Sequence, residues 1–324
     1  MDPAQFFAAP RVTIVAGKGG VGKTTVAATL ALAAARCGLR AMVVEVEGKS
    51  GLPSLFDHAE LPYHELELDP ADPATGKGAV IARRLTPDEA LAEYLADHGL
   101  HRISKRLTDS GAMDMVAAAT PGIKDVLILG KVKQLEKTRA ADVIIVDAPA
   151  AGHAISFLRS ASGLLDAVAV GPIHTQAADV LGLLGDGQRC QVMLVTLPEE
   201  TPVNELVETA YSLEDQVGVK LGPVVVNGLY EDLDGLAVDP LDAAAAAGVE
   251  LDAAEVDRLR RAATFRNRRR ALQEEQLERL DRELPLPQLR LPYRFVPELA
   301  RHEIDDLAGL LLDELGELAE PGAT

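Results

Sequence analysis

A glycine-rich stretch near the start of the chain has the residue types and spacing of a phosphate-binding loop. Its sequence is Gly17-Lys18-Gly19-Gly20-Val21-Gly22-Lys23-Thr24-Thr25. Glycines let backbone N–H groups approach an anion closely, and a lysine ammonium adds positive charge at the same place. Lys23 and Thr24 end the pattern G-x-x-x-x-G-K-[ST], in which the threonine hydroxyl binds Mg²⁺. The stretch therefore predicts a site for a nucleoside triphosphate with Mg²⁺.

The segments around this stretch are those that such a loop requires. Residues 12–16 are a short apolar run, and residues 23–36 are rich in alanine and leucine. They predict a strand before the loop and a helix after it, whose positive N-terminal end faces the anion. A second apolar run at 41–47 closes a βαβ unit. A third run ends in Asp147, the Walker B pattern of an aspartate that binds the Mg²⁺ water shell.

The order of the remaining segments predicts the fold class. Apolar runs at 164–170, 191–196 and 222–227 are expected to be strands, and they alternate with helical patterns at 175–184 and 202–217. Regular alternation of this kind predicts an α/β fold with a doubly wound, mostly parallel sheet, as in P-loop NTPases.

A largely helical block interrupts this alternation at residues 86–140. We expect it to be a helical subdomain inserted in a single P-loop domain that covers residues 11–318. Residues 1–10 and 319–324 are expected to be flexible tails. A long, charged helix is expected at 253–284, where acidic residues follow an arginine cluster and favour a solvated, salt-bridged face.

Composition excludes several classes of partner. Lys and Arg number 32 against 50 Asp and Glu, so the net charge is −18, which disfavours binding to nucleic acid and to anionic lipid surfaces. No apolar run approaches the roughly 18 residues of a transmembrane helix, so we expect no direct membrane insertion. The two cysteines, Cys37 and Cys190, are expected to be buried thiols in a reducing compartment, and the first ten residues do not resemble a signal peptide. A cytoplasmic protein is expected.

Lys18 makes the loop unusual, because Lys23 is already the lysine that the pattern G-x-x-x-x-G-K-[ST] uses to bind the phosphates. Lys18 is therefore a second lysine in the same loop. With Lys18 the loop resembles the deviant Walker A loop of a group that includes the ParA and MinD ATPases, the nitrogenase iron protein and the ArsA-like ATPases. Two further segments resemble the ArsA-like family, namely Pro121-Gly-Ile-Lys-Asp125 and the residues Gly152-His153 after Asp147. This family comprises arsenite-pump and tail-anchored-protein-targeting ATPases, and the resemblance spans about residues 11–318.

The resemblance implies catalytic roles for three residues. Lys18 would reach across a dimer interface to the partner's nucleotide, and Lys23 would neutralise charge on the phosphates. Glu47 aligns with the family's aspartate that orients the attacking water, so the longer glutamate is a departure. Two roles stay open for Glu47: it orients the water, or it only helps to hold Mg²⁺ through water. Slow hydrolysis is expected in consequence.

The resemblance also implies contacts to the nucleotide from later parts of the chain. The N–H of Gly152 would bind the γ-phosphate and sense hydrolysis. Asn227 would bind the adenine edge, although a turn asparagine is the alternative. Pro292 and Phe295 lie in the segment that resembles the family's second adenine-flanking stretch. ATP and Mg²⁺ are thus the implied cofactors.

Partners follow from the resemblance as well. It implies a homo- or heterodimer with another ArsA-like subunit, with a client or membrane protein as a further partner. Met113 and Met115 either line a client groove or are plain core residues. The chain lacks the cysteine pair of the zinc-bridged targeting branch and the cysteine triad of the arsenite pump, so it resembles an actinobacterial-type branch and arsenite activation is not expected.

Three functions remain open on the sequence. The first is a Mg²⁺-dependent ATPase whose ATP-driven dimer switch is coupled to a protein partner or a transport process. The second is a weakly hydrolysing nucleotide-binding scaffold subunit of a heteromeric complex. The third is a ParA/MinD-like partitioning ATPase, which the negative charge disfavours.

Overall fold

The computed structural model describes residues 2–46, 51–97 and 122–318. Within these ranges eight strands form one sheet in the order β3-β4-β2-β5-β1-β6-β7-β8. The strands are β1 (Val12–Gly17), β2 (Ala41–Val46), β3 (Leu66–Asp69), β4 (Val80–Leu85), β5 (Val143–Ala150), β6 (Cys190–Thr196), β7 (Val224–Leu229) and β8 (Gln288–Pro292). All neighbouring strands are parallel except β3 and β4, which pair antiparallel at one edge.

Ten α-helices are found in the same ranges, with a short 3₁₀ turn at Ser54–Phe56. They are α1 (Pro3–Ala8), α2 (Lys23–Arg36), α3 (Pro87–Asp97), α4 (Ile123–Thr138), α5 (Ala151–Ala167), α6 (Pro172–Leu184), α7 (Glu200–Val217), α8 (Pro240–Ala247), α9 (Ala253–Glu283) and α10 (Arg301–Glu317).

Helices cover both faces of the sheet, so it is doubly wound. On one face α2, α10 and α1 pack on side chains such as Val15 and Val43. On the other face α4, α5, α6, α7 and α9 pack on side chains such as Ile14 and Val44. Alternate residues of β1 and β2 thus enter different cores, as the two-residue period of a strand requires. The predicted α/β class with a mostly parallel sheet is confirmed.

The predicted strand at 164–170 is wrong. Helix α5 continues to Ala167, because its apolar residues follow a helical period. Phe157, Leu158, Ala161 and Leu164 are all buried and occupy positions i, i+1, i+4 and i+7. The apolar run at 164–170 predicted a strand, but its first residues are the last turn of this helix and the rest follow the helix end.

The start of the chain differs from the flexible tail expected for residues 1–10. Residues 3–8 form α1, with Asp2 as its N-cap. Phe6 and Phe7 are buried in the core that α2 and α10 share. Burying two aromatic side chains stabilises the docked helix. Residues 319–324 lie outside the described part of the chain.

The helical block is described only at its two ends. Helix α3 follows β4, and α4 precedes β5. Residues 98–121 fall outside the described ranges, and with them Met113, Met115 and Pro121. The long helix predicted at 253–284 is confirmed as α9, which starts with a capping box between Asp252 and Glu255.

Both cysteines are free thiols. Cys190 is buried at the start of β6, as expected, whereas Cys37 at the end of α2 is partly exposed. No helix in the described ranges has the length and apolar character needed to cross a membrane.

Candidate nucleotide site

The glycine-rich loop lies at the carboxyl edge of the sheet, where β1 ends in Gly17 between β5 and β6. A Cβ added at Gly17 would collide with the backbone carbonyl oxygen of Val195 in β6. A Cβ at Gly22 would collide with the side-chain amide of Asn227, and Gly22 also has a φ of 90°. The loop is therefore seated against two neighbouring strands in a conformation that only glycine allows at these positions.

Helix α2 starts directly after this loop. Gly22 is its N-cap and provides no side-chain hydrogen bond to the first turn, so the backbone N–H groups there can bind an anion. Lys23 is the first residue of the helix, and its Nζ donates to the carbonyl oxygen of Lys18 at 3.1 Å. Burial lowers the pKa of Lys23, and the Asp147 carboxylate acts in the opposite direction. The loop thus holds a partly desolvated cation at a helix N-terminus.

Thr24 and Asp147 meet beneath the loop. The Thr24 hydroxyl donates to Oδ2 of Asp147 at 2.7 Å, and Asp147 is only 5% exposed. Burial raises the pKa of Asp147 to about 6, against the Thr24 hydrogen bond and the Lys23 charge, and the Glu45 carboxylate raises it further. Glu45 lies beside Asp147 in the paired strands β2 and β5. Burial and a neighbouring carboxylate both disfavour the ionised form of Asp147, so a cation bound nearby would stabilise that form.

These residues fit a Mg²⁺ ion bound together with a nucleotide. Thr24 and Asp147 supply a hydroxyl and a carboxylate at one point, which are oxygen donors of the kind that Mg²⁺ takes. Among the described residues no group of three or more His, Cys, Asp or Glu could hold a metal. Mg²⁺ usually keeps several waters and binds substrate phosphates in addition to one or two carboxylates.

Lys18 projects from the loop toward α7. Its Nζ lies 2.6 Å from Oε1 of Glu205, and both side chains are 39% exposed. Lys18, the extra lysine of the loop, is therefore held by a residue of its own chain in an ion pair at the surface.

Asn227 lies near the end of β7 and touches the loop. Its Nδ2 donates to the carbonyl oxygen of Val21 at 3.0 Å. Pro292, at the end of the neighbouring strand β8, pairs with Leu229. The structure thus brings Asn227 against the loop and places Pro292 one strand further out.

Three aromatic residues cluster beyond these two strand ends. Tyr230, Tyr293 and Phe295 have ring centroids 4.7 to 5.5 Å apart, and we call them the aromatic cluster. The Arg266 guanidinium lies 5.3 Å from the Tyr230 ring centre and 5.1 Å from that of Phe295. Phe295 is nevertheless 62% exposed, so flat, accessible aromatic surface lies on the same side of the sheet as the loop.

Two further residues predicted to bind the nucleotide or Mg²⁺ are Glu47 and Gly152. Glu47 directly follows β2 but lies outside the described residues. Gly152 is in the first turn of α5, which begins at Ala151 after β5. It therefore follows Asp147 at the same edge of the sheet, and its contact to the γ-phosphate stays a prediction.

Several residues at the site were not predicted from the sequence. Glu205 and Arg266 make contacts to residues far away in the chain. No local pattern marks Glu205, and the arginine cluster that includes Arg266 predicted only a solvated, salt-bridged helix face. Glu45 carries a usable signal, since it is an acidic residue inside an otherwise apolar run that the sequence predicts to be a buried strand. Tyr293 adjoins the predicted Pro292, and its ring packs on Phe295.

Comparison with known proteins identifies the family of this chain. The family model described as anion-transporting ATPase matches residues 10–169. The ATPase BagA of Mycobacterium tuberculosis is 37% identical over 253 residues, which cover 76% of this chain and 72% of that protein. A putative arsenical pump-driving ATPase of Halobacterium salinarum is 27% identical over 241 residues, 68% of this chain and 36% of that protein. An ATPase get3 of Neurospora crassa is 28% identical over 206 residues, 63% of this chain and 57% of that protein. The chain belongs to the ArsA family of anion-transporting ATPases, a family of ATP hydrolases.

Proposed function

We propose that the chain is a Mg²⁺-dependent ATPase that works as an ATP-driven dimer switch, coupled to a protein partner or a transport process. The observation that carries the proposal is the hydrogen bond between Thr24 and Asp147 directly beneath the glycine loop. It joins the two residues that would hold Mg²⁺ at the base of a loop built to bind phosphates. Family membership supports ATP as the nucleotide.

The residues of the loop would act by positioning and by neutralising charge. Backbone N–H groups of residues 17–25 and the Lys23 ammonium bind the phosphates, while Thr24 and Asp147 hold Mg²⁺. The metal ion supplies charge neutralisation on the transferring phosphoryl group. Because Lys23 is already partly desolvated, its charge interacts more strongly with the phosphates than a solvated lysine would.

Residues that follow the strands complete the site in this proposal. Glu47 orients the attacking water or assists Mg²⁺ through water, and the N–H of Gly152 binds the γ-phosphate. Asn227 and Pro292 contact the adenine, with Phe295 and the rest of the aromatic cluster at its outer side. The contact of Asn227 with the loop supports this proposal, because it puts the Asn227 side chain beside the residues that would bind the phosphates.

The dimer in this proposal rests on Lys18. The loop presents this lysine at the surface, 39% exposed, where a second subunit could reach it. The second subunit of the dimer is another copy of this chain or another ArsA-like subunit. A client protein or a membrane protein would bind the assembled dimer, and we place the protein in the cytoplasm.

The test is steady-state ATP hydrolysis for wild type, Lys18→Ala and Glu47→Gln. Particle mass is measured by light scattering with and without ATP and Mg²⁺. We expect ATP-dependent dimers of the wild type and a loss of turnover of roughly a hundredfold in each variant. Lys137→Ala is the charge-matched control, because this lysine is exposed on α4, and it should behave as wild type. The proposal fails if the wild type binds ATP but turns over no faster than both variants.

A second candidate is the weakly hydrolysing scaffold subunit of a heteromeric complex. The glutamate at position 47, where the family has an aspartate, favours it. The same experiment separates the two: a scaffold subunit binds ATP and forms a complex, but its slow turnover is unchanged by Glu47→Gln. DNA partitioning predicts ATP-dependent DNA retention at physiological salt, which the net charge of −18 opposes.

A further inference from the structure

The ion pair between Lys18 and Glu205 links two elements that are far apart in sequence. Lys18 stands between Gly17 and Gly19 in the loop, and Glu205 lies in α7, 187 residues later. The two side chains are equally exposed, at 39% each, so both remain accessible to a second subunit.

The carboxylate belongs to a rigid element, whereas the lysine is on a loop. Helix α7 is fixed by an apolar face buried in the core, formed by Val203, Leu206, Ala210 and Leu213. Since α7 is anchored, Glu205 determines where the ammonium of Lys18 rests.

Binding of Lys18 to a nucleotide on another subunit would compete with this pair. If Lys18 kept its contact with Glu205, that carboxylate would lie near the phosphates, and like charges repel. An exposed ion pair is weak and screened by salt, so a triphosphate can displace Glu205. Moving Lys18 from Glu205 to the phosphates nevertheless costs free energy, because Glu205 loses its ion pair. This cost opposes association of the two subunits.

We infer that Glu205 is a positioning residue for Lys18, which holds this lysine within its own subunit until the nucleotide of a partner displaces it. The inference rests on the proposed dimer. Glu205 thereby raises the ATP concentration at which the dimer forms. It takes no part in the closed site, so it affects assembly and not the chemical step.

Glu205→Gln tests this role, because glutamine keeps the shape and removes the charge. We expect the ATP concentration for half-maximal dimer formation, and KM, to fall about two- to fivefold, while kcat stays within about twofold. Glu208→Gln is the matched control: this glutamate is exposed on the same helix, and the variant has the same net charge. It should match wild type in both measurements. Thermal unfolding by circular dichroism confirms that each variant is folded.

A second arm asks whether Glu205 acts through Lys18. In a Lys18→Ala background, Glu205→Gln should no longer change the ATP concentration needed for assembly. An equal effect in both backgrounds would overturn the inference, as would an unchanged or raised ATP requirement in Glu205→Gln alone. If the wild type forms no dimer with ATP and Mg²⁺, the proposed dimer fails and this role with it. An ATP-dependent dimer that is insensitive to Glu205→Gln removes only the role of Glu205.

Discussion

The hydroxyl of Thr24 donates a 2.7 Å hydrogen bond to Asp147, although the two residues are 123 positions apart in the sequence. Strand pairing makes this possible, because β1 and β5 are parallel neighbours and Val15 lies opposite Asp147. The chain after β1 therefore turns into α2 directly above the carboxylate. A hydroxyl and a desolvated carboxylate at the foot of a glycine loop form a site that a divalent cation completes.

Asp147→Asn should remove the response to Mg²⁺ and leave the fold intact. Asparagine has the same size and can accept the Thr24 hydrogen bond, so the unliganded variant should be at least as stable as wild type. Its turnover should fall roughly a hundredfold or more. Saturating ligand at about 100 times Kd stabilises wild type by about 2.7 kcal/mol, and the variant should lose most of that. Thermal unfolding with ATP, with and without Mg²⁺, measures this, and an equal gain in both proteins would contradict the assignment.

The raised pKa of Asp147 predicts an unusual pH dependence of stability without metal. Its pKa moves from an ordinary 3.8 to about 6 on folding, so the folded state binds the proton more tightly than the unfolded state. The free energy of unfolding should therefore fall by at most about 3 kcal/mol as the pH rises from about 4 to about 6. Above about pH 6 it should level off.

The measurement for this pH dependence is urea unfolding in chelator at several pH values. The difference between wild type and Asp147→Asn isolates the contribution of this carboxyl from those of other groups. The difference should change across this pH window and stay constant at higher pH. Mg²⁺ reverses the sign, because it binds the ionised form, so binding of Mg²⁺ with ATP should strengthen as the pH rises through about 6.

Two glycines of the loop should differ in their tolerance of alanine. At Gly17 a Cβ would meet the backbone of β6, whereas at Gly20 no atom lies within 4 Å of it. Gly20 has a φ of 88°, so Gly20→Ala costs only backbone strain of about 1 kcal/mol. We expect Gly17→Ala to cost about 3 kcal/mol or more, since a backbone must move. Urea unfolding without nucleotide compares them, and equal losses would show that the loop is not seated against β6.

The parts of the site that were predictable from the sequence are those encoded by contiguous residues. The loop, its flanking strand and helix, and Asp147 after an apolar run each have a local pattern, so the phosphate site could be located without a structure. The strand itself continues past Asp147 to Ala150, which the apolar run did not predict. The sheet class followed from the alternation of strands and helices. The 164–170 stretch shows the limit, because a short apolar run satisfies both periods and only the packing of Phe157 and Leu158 in the core decides for helix.

The parts that were not predictable depend on contacts between distant elements. Glu205 reaches Lys18 only because α7 packs beside the loop. Arg266 reaches the aromatic cluster only because α9 passes the end of β7, where Gln273 contacts Gly228 and Tyr230. Phe6 and Phe7 do carry a local signal for burial. Phe6 and Phe7 are adjacent in a chain with only 3% aromatic residues, and large aromatic side chains in such a chain tend to be buried.

The exposed surface of the aromatic cluster predicts a contribution to nucleobase binding. Phe295→Ala removes the ring that is 62% exposed, with Arg266 over it. If the adenine stacks there, binding of ATP should weaken by about 1 to 2 kcal/mol, roughly 5- to 30-fold in Kd. Isothermal titration calorimetry with ATP and Mg²⁺ measures this change.

Inorganic tripolyphosphate distinguishes base stacking from a general disturbance of the site, because it carries the phosphates without the base. Its affinity should be the same for wild type and Phe295→Ala, since the loop at residues 17–25 is unchanged. Phe265→Ala is the control for losing an exposed ring, because Phe265 is 68% exposed and is not part of the aromatic cluster. Equal weakening for ATP and tripolyphosphate would mean that Phe295 supports the phosphate loop and does not contact the base.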